Sequence, residues 1–354
     1  MTDPQLLPLG LQRTRGAVVL IGLSVAILTL WWLKLVLLMG FSAILLAILL
    51  DAASRILQPW LPLGRTATLF LVLLTTLLVG SLAIIGLGSQ LVSSLGELSS
   101  RLPKALQQFE QLLNLGSIED WLGRRLEKTV QDSSVVRSLS GASWLVATVL
   151  ADGLVILAGG VFLALDPGAY LRTFLRFWPA HARPELQAAL EAVADDLRQW
   201  LLGQLVAMAA VALLIWLGLW FLGLSSALAL GAIAGLLEFI PYVGPPASAL
   251  PALALGFLER PALALWVGLL YLIIQQIEGT LLMPLIQRQA LNIPPAITIF
   301  AVFGFAALFG PMGVVLAAPL TVACASLLRT LWQPRMDALT PDPTAAPVDF
   351  SEKL

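Results

Sequence analysis

Histidine and cysteine are almost missing from this sequence: His181 and Cys324 stand alone among 354 residues. A single cysteine excludes an internal disulfide and a multi-cysteine metal site. A single histidine excludes a histidine metal cluster, and with no G-x-S-x-G turn it also leaves no serine-histidine hydrolase. Both residues have plain readings, Cys324 as a small filler in the last apolar run and His181 in a polar connection. Charge is scarce too. Asp, Glu, Lys and Arg make up 12% of the chain, against roughly a quarter in soluble domains. The net charge of -1 comes without a basic patch, which excludes a nucleic-acid partner. No G-x-x-x-x-G-K-[ST] loop is present, so the chain does not drive a pump with ATP by itself. Nothing in the composition implies a cofactor or a metal.

Apolar residues take the space instead. They form 59% of the chain, and the mean hydropathy is +0.92. Several runs exceed the roughly 18 apolar residues that cross a bilayer core about 30 Å thick. The expected fold is all-α, a polytopic bundle of transmembrane helices with the lipid bilayer as its solvent. Arg13 and Arg15 precede a run too long for a cleavable signal core, so this segment is expected to stay as an anchor.

Apolar runs over 16–33 and 35–50 meet at Lys34, which predicts a tight hairpin or one bent pair of spans. Arg13, Arg15, Arg55 and Arg65 flank the pair on one side, and the bias of Lys and Arg makes that side, with the N-terminus, cytoplasmic. Asp51 and Arg55 are spaced to pair on one helix face. A third span over 66–88 leads into 89–143, a polar stretch with helical repeats such as Leu106, Phe109 and Leu113 and a capping-box start at Ser117 and Asp120. It reads as short amphipathic helices on the non-cytoplasmic side. The fourth span, 144–165, carries Asp152. An acid inside a span costs about 2.5 to 3.5 kcal/mol on insertion scales, so Asp152 is expected to face protein or water.

Arg172, Arg176, Arg183 and Arg198 then hold the chain on the cytoplasmic side. Leu186, Leu190, Val193 and Leu197 make one apolar stripe, which predicts a separate amphipathic helix over 184–200, along the membrane surface or against the bundle. A fifth span follows over 204–222.

The pattern breaks in the last third. An apolar run from 224 ends in Glu238-Phe239-Ile240-Pro241-Tyr242-Val243-Gly244-Pro245-Pro246, where an ordinary span would continue. Irregular backbone at membrane depth is tolerated only where protein packs on it or water reaches it. Residues 246–258 are short for a crossing and contain Pro251, so a re-entrant or bent segment is expected. The span over 261–277 closes on Gln275-Gln276-Ile277-Glu278-Gly279. Pro284, Asn292-Ile293-Pro294-Pro295 and Gly310-Pro311-Met312-Gly313 punctuate what remains, and Pro319 predicts a kink in the final run. The broken stretches 241–257 and 294–319 form a pair, the best sequence pointer to a transporter's central site. The chain thus divides into an N-terminal tail with three spans (1–88), the amphipathic insertion (89–143), a core bundle (144–333) and a Pro-, Asp- and Ala-rich tail (334–354) expected to be disordered.

These motifs carry a resemblance. Ile240-Pro241-Tyr242-Val243-Gly244-Pro245, then Gln276-Ile277-Glu278-Gly279 and Pro284, then Gly310, Gly313 and Ala318-Pro319-Leu320 resemble the autoinducer-2 exporter family of bacterial membrane proteins. Phe162-Leu163-Ala164-Leu165 and Gly203-Gln204 extend the likeness upstream, so that it covers residues 15 to 332. The resemblance implies about eight spans, a place in the bacterial inner membrane, export of small molecules or ions, and homo-oligomers. Asn292-Ile293-Pro294-Pro295 replaces the His-Pro pair of many members, so a proton role for that histidine does not carry over.

The favoured reading is a secondary transporter or exporter of a small polar solute or ion, with proton coupling. A passive oligomeric pore and a membrane scaffold or sensor acting through 89–143 are the alternatives. Glu238 and Glu278 are the leading coupling candidates, because each ends an apolar span beside a Gly or Pro break where a desolvated carboxylate exchanges protons. Asp152, Tyr242, Gln275 and Gln276 are further candidates for the path. Pro241, Gly244, Pro245, Gly279, Pro284, Pro294, Gly310, Gly313 and Pro319 are expected to act through the backbone, as breaks and hinges.

Overall fold

A computed structural model describes residues 9–78, 80–82, 134–282 and 294–332. All regular structure among them is helical. Helix α1, Leu9–Leu57, runs for 49 residues. The hairpin expected at Lys34 is absent. One lysine in an unbroken Leu, Ile, Val and Ala run does not stop a helix, since its backbone bonds remain intact. Its ammonium instead lies 4.0 Å from the Trp31 ring centroid and donates to the Leu308 carbonyl at 3.5 Å. Helix α2, Arg65–Leu82, follows a short turn. The insertion over 89–133 and Pro284 lie outside the described residues.

Helix α3, Ser134–Leu165, starts upstream of the expected fourth span. It ends at Asp166, whose carboxylate accepts from the Ala169 N–H at 3.0 Å and caps α4, Pro167–Arg176. The chain turns by 91° there. Helix α5, Arg183–Phe221, is one element of 39 residues. The separate surface helix expected over 184–200 is therefore the first half of a longer one. Its apolar stripe finds protein: Leu197, Trp200 and Leu201 pack with Leu38 and Leu45 of α1 and with Leu316 and Val322 further on.

Helices α6 (Ala227–Leu237), α7 (Gly244–Glu259) and α8 (Pro261–Ile277) then zigzag beside α5. Gly231 and Gly235 bring α6 against the α5 backbone, where an added Cβ would meet the Ala212 and Met208 carbonyls. Such small-residue spacing is how helices approach closely without a hydrophobic driving force. Helix α7 continues through Pro251 and packs on α8, with Ala252, Leu255 and Val267 in their shared core. Helices α9 (Pro295–Phe309) and α10 (Pro311–Leu331) flank a break at Gly310, whose φ is 66°. Pro319, fully buried, sits inside α10 without ending it.

Among the described residues, five helices are long and apolar enough to cross a membrane, or six with the bent α3–α4 pair. The expectation of about eight exceeds what reaches spanning length among the described residues. Helices α6 and α9 are apolar but short, because the Pro and Gly breaks cut them.

Candidate functional site

The site grows from the way α6 ends. The amides of Glu238 and Ile240 still bond back, to the Ala234 and Leu237 carbonyls at 2.9 Å each, and Gly244 closes the turn onto Ile240 O at 2.8 Å. This accounts for backbone groups that lipid would leave unpaired. Gly244 is required: a Cβ there would fall on the Leu237 carbonyl. Tyr242 takes a φ of 64°, a left-handed conformation that a bulky residue holds only when its surroundings force it.

Helix α5 fixes this turn from the side. Gln204, buried in mid-helix, donates to the Glu238 carbonyl at 2.7 Å, and Trp200 meets Phe239 edge to face with centroids 5.8 Å apart. Glu238 is the C-cap of α6 and Glu278 the C-cap of α8, and α7 packs on both helices. Glu238 is 2% exposed and Glu278 5%. The two carboxyl groups are close enough to act on each other electrostatically. Gln275 donates to Glu278 Oε2 at 2.9 Å, while Glu238 Oε2 is buried and finds no donor among the described residues. Among the described residues no arginine or lysine bonds either acid. Below Glu278 the helix widens into a π-turn, Glu278–Leu282, a distortion that is frequent at functional sites.

The other candidates spread out. Pro241 and Pro245 flank the turn half-buried, and Tyr242 is exposed. Gln276 and Gly279 are exposed beside the π-turn. Tyr271, one α8 turn before Gln275, donates to Ser248 O at 3.2 Å and ties α8 to α7. Gly310 and Gly313 shape the α9–α10 hairpin, where a Cβ on Gly313 would strike the Phe305 carbonyl. Pro294 caps α9. Asp152 is half-buried on α3, away from the carboxyl pair, and has no polar partner among the described residues.

A second charged cluster was only half visible in the sequence. Asp51, 6% exposed, bonds Arg55 at 2.8 Å as its spacing predicts, and also Arg65 and Arg198 at 3.2 Å each. Arg65 also donates to Ala164 O at 3.2 Å. Arg198 binds Asp195 at 2.8 Å, and Arg329 binds Asp196 at 2.7 Å. Asp51 therefore joins α1, α2, α3 and α5 at one end of the bundle. Gln204 was likewise passed over as a site residue; a lone amide inside an apolar run was the available signal.

Known proteins place the chain. YueF of Bacillus subtilis, an inferred transport protein, is 27% identical over 78% of each chain. TqsA of Escherichia coli, named an AI-2 transport protein, is 24% identical over 79% of this chain and 81% of its own. YhhT of Escherichia coli, another inferred transport protein, is 24% identical over 73% of this chain and 75% of its own. The model of the AI-2E family transporters matches residues 20–333. The helices, the breaks and this match agree: the chain belongs to the AI-2E family of multi-pass membrane transporters, and is not an enzyme.

Proposed function

We propose that this protein is a proton-coupled secondary transporter, an exporter of a small polar solute or ion from the bacterial cytoplasm across the inner membrane. The observation that carries this reading is the facing of two buried carboxyls at two helix breaks. Two such groups out of water carry a single negative charge far more cheaply than two, so the pair holds a proton and can give it up. Losing it leaves an uncompensated charge, which favours the state in which the break opens toward water. Gaining it back favours the sealed state. A change of charge thus selects between two arrangements of one hinge. The arginine-rich end that holds Asp51 is the cytoplasmic one by the Lys and Arg bias, and because α1 runs unbroken through Lys34 the N-terminus then lies on the opposite side. Membership of the family supports assembly of several copies, which mass measurement of the purified protein tests.

Inverted vesicles give the decisive experiment, with AI-2 as the first solute because TqsA is named for it. An acid lumen is expected to drive uptake, and Glu238→Gln to abolish the response to the gradient. An unchanged response in the variant removes Glu238 from the coupling. Uptake that ignores the gradient in the natural protein favours a passive pore.

A further inference from the structure

Helix α4 stands apart from the bundle. It follows an apolar span, α3, and leaves it at 91°, so if α3 crosses the bilayer α4 lies in its plane. The turn is built into the chain: Asp166 caps the new helix and Pro167 opens it, a residue with no N–H to lose at that position. Helical geometry then sorts the side chains. Leu175 is buried and anchors the helix to the protein. Tyr170 and Phe174, spaced by four, are 48% and 46% exposed, and Phe177 and Trp178 continue the aromatic surface at 84% and 45%. Arg172 and Arg176, also spaced by four, project from nearly the opposite side at 100° per residue.

Neither arginine has an ion-pair partner among the described residues, and both are exposed. Arg183 adds a third basic group, and no acidic residue occurs from Pro167 to Pro184. Asp166 is committed to the cap. Aromatic side chains on one face and unpaired arginines on the other are the chemistry of a helix lying at a headgroup layer, and the surplus positive charge selects an anionic one. The Asp51 cluster differs in this respect, since its arginines already meet carboxylates.

We propose that α4 is an in-plane lipid-reading helix whose Arg172 and Arg176 hold the phosphate of anionic phospholipids while Tyr170, Phe174, Phe177 and Trp178 sit among the acyl-chain ends. The inference goes beyond transport. It needs only the membrane placement and stands if the carboxyl pair proves not to couple protons.

The full chain, purified in detergent, is titrated with phosphatidylglycerol and with phosphatidylcholine, and bound lipid is counted by native mass spectrometry. Tighter binding of phosphatidylglycerol is expected. Arg172→Gln with Arg176→Gln should weaken it by about fivefold per arginine, the weight of one basic side chain at an anionic surface. The Lys pair at the same positions should retain it. Soluble glycerol phosphate should not compete, since the aromatic face adds nothing to its binding; full competition would assign the site to free phosphate and overturn the lipid reading. Equal binding of both lipids, or an unchanged preference in the Gln pair, would also overturn it. A nitroxide on Phe177→Cys, with the exposed Cys324 replaced by Ser, gives a test independent of those variants. In vesicles of both lipids it should be relaxed more by oxygen than by a water-soluble nickel chelate, and the reverse order would remove α4 from the membrane.

Discussion

Two buried acids at different places in this protein meet opposite fates. Asp51 is surrounded by three guanidinium groups, whereas Glu238 faces another carboxyl and, among the described residues, pairs with no cation. The first arrangement fixes charge. Asp51 pairs with one guanidinium on each of α1, α2 and α5, and Arg65 carries the contact on to α3 at one end of the bundle. The second leaves charge unsettled, and the backbone around it is a break rather than a continuous helix. The contrast locates stiffness and movement in the same bundle: an ionic clasp where helices must stay together, and an uncompensated acid where a segment must respond.

The comparison is open to being broken, most severely at the turn itself. Gly244→Ala places a Cβ on the Leu237 carbonyl, and opening that turn is expected to cost more than about 4 kcal/mol, the range reserved for strained backbone and similar defects. Little folded protein should survive size-exclusion chromatography in detergent. Normal yield and melting would show that the turn is not as constrained as its geometry requires.

Removing the clasp should cost less. Asp51→Ala leaves Arg198 with Asp195 alone and cuts its tie to α1, with an expected loss of about 2 to 3 kcal/mol, short of a fully buried pair because Arg55 and Arg65 keep some water. Thermal unfolding in detergent measures it. Glu238→Gln should do the reverse at the other site. Its unpartnered oxygen becomes an amide that can donate to Glu278, so stability should hold or rise while the response to pH gradient is lost. If both acids destabilise equally when neutralised, the distinction between clasp and responsive pair fails.

Among the destabilising changes, the smallest is expected from Gln204→Leu. It removes the bond to the Glu238 carbonyl and leaves that acceptor buried, for about 1 to 3 kcal/mol. Its value is in sharpening the comparison, because the loosened turn should change transport rate without removing its dependence on the gradient. Loss of the gradient dependence itself would make Gln204 part of the coupling.

Much of this was legible in the chain. The breaks at 238–244 and at Gly310 announce themselves through Pro and Gly, whose backbone limits are local. Glu238 and Glu278 stood out because each is an acid at the end of an apolar run. The Asp51–Arg55 bond follows from spacing of four within one helix. The errors have a common cause as well. Two apolar runs meeting at Lys34 predict a tight hairpin or one bent pair, because charge inside a span is costly, yet Trp31 and the Leu308 carbonyl satisfy the lysine without a turn. The amphipathic stripe over 184–200 predicts a helix along the membrane surface or against the bundle, and the bundle is what it meets, packed on α1 and α10; what the stripe does not show is that the helix continues unbroken to Phe221.

Composition, run length and the placement of Pro and Gly were enough to determine a helical membrane protein with interrupted segments near its carboxy end, because each acts through solvent or through its own backbone. Which charges meet was decided only in three dimensions. Arg65 and Arg198 reach Asp51 from 14 and 147 residues away, and Glu238 at the end of α6 meets Glu278 at the end of α8 through helices that both pack on α7. Sequence spacing does not encode such distances; helix packing does.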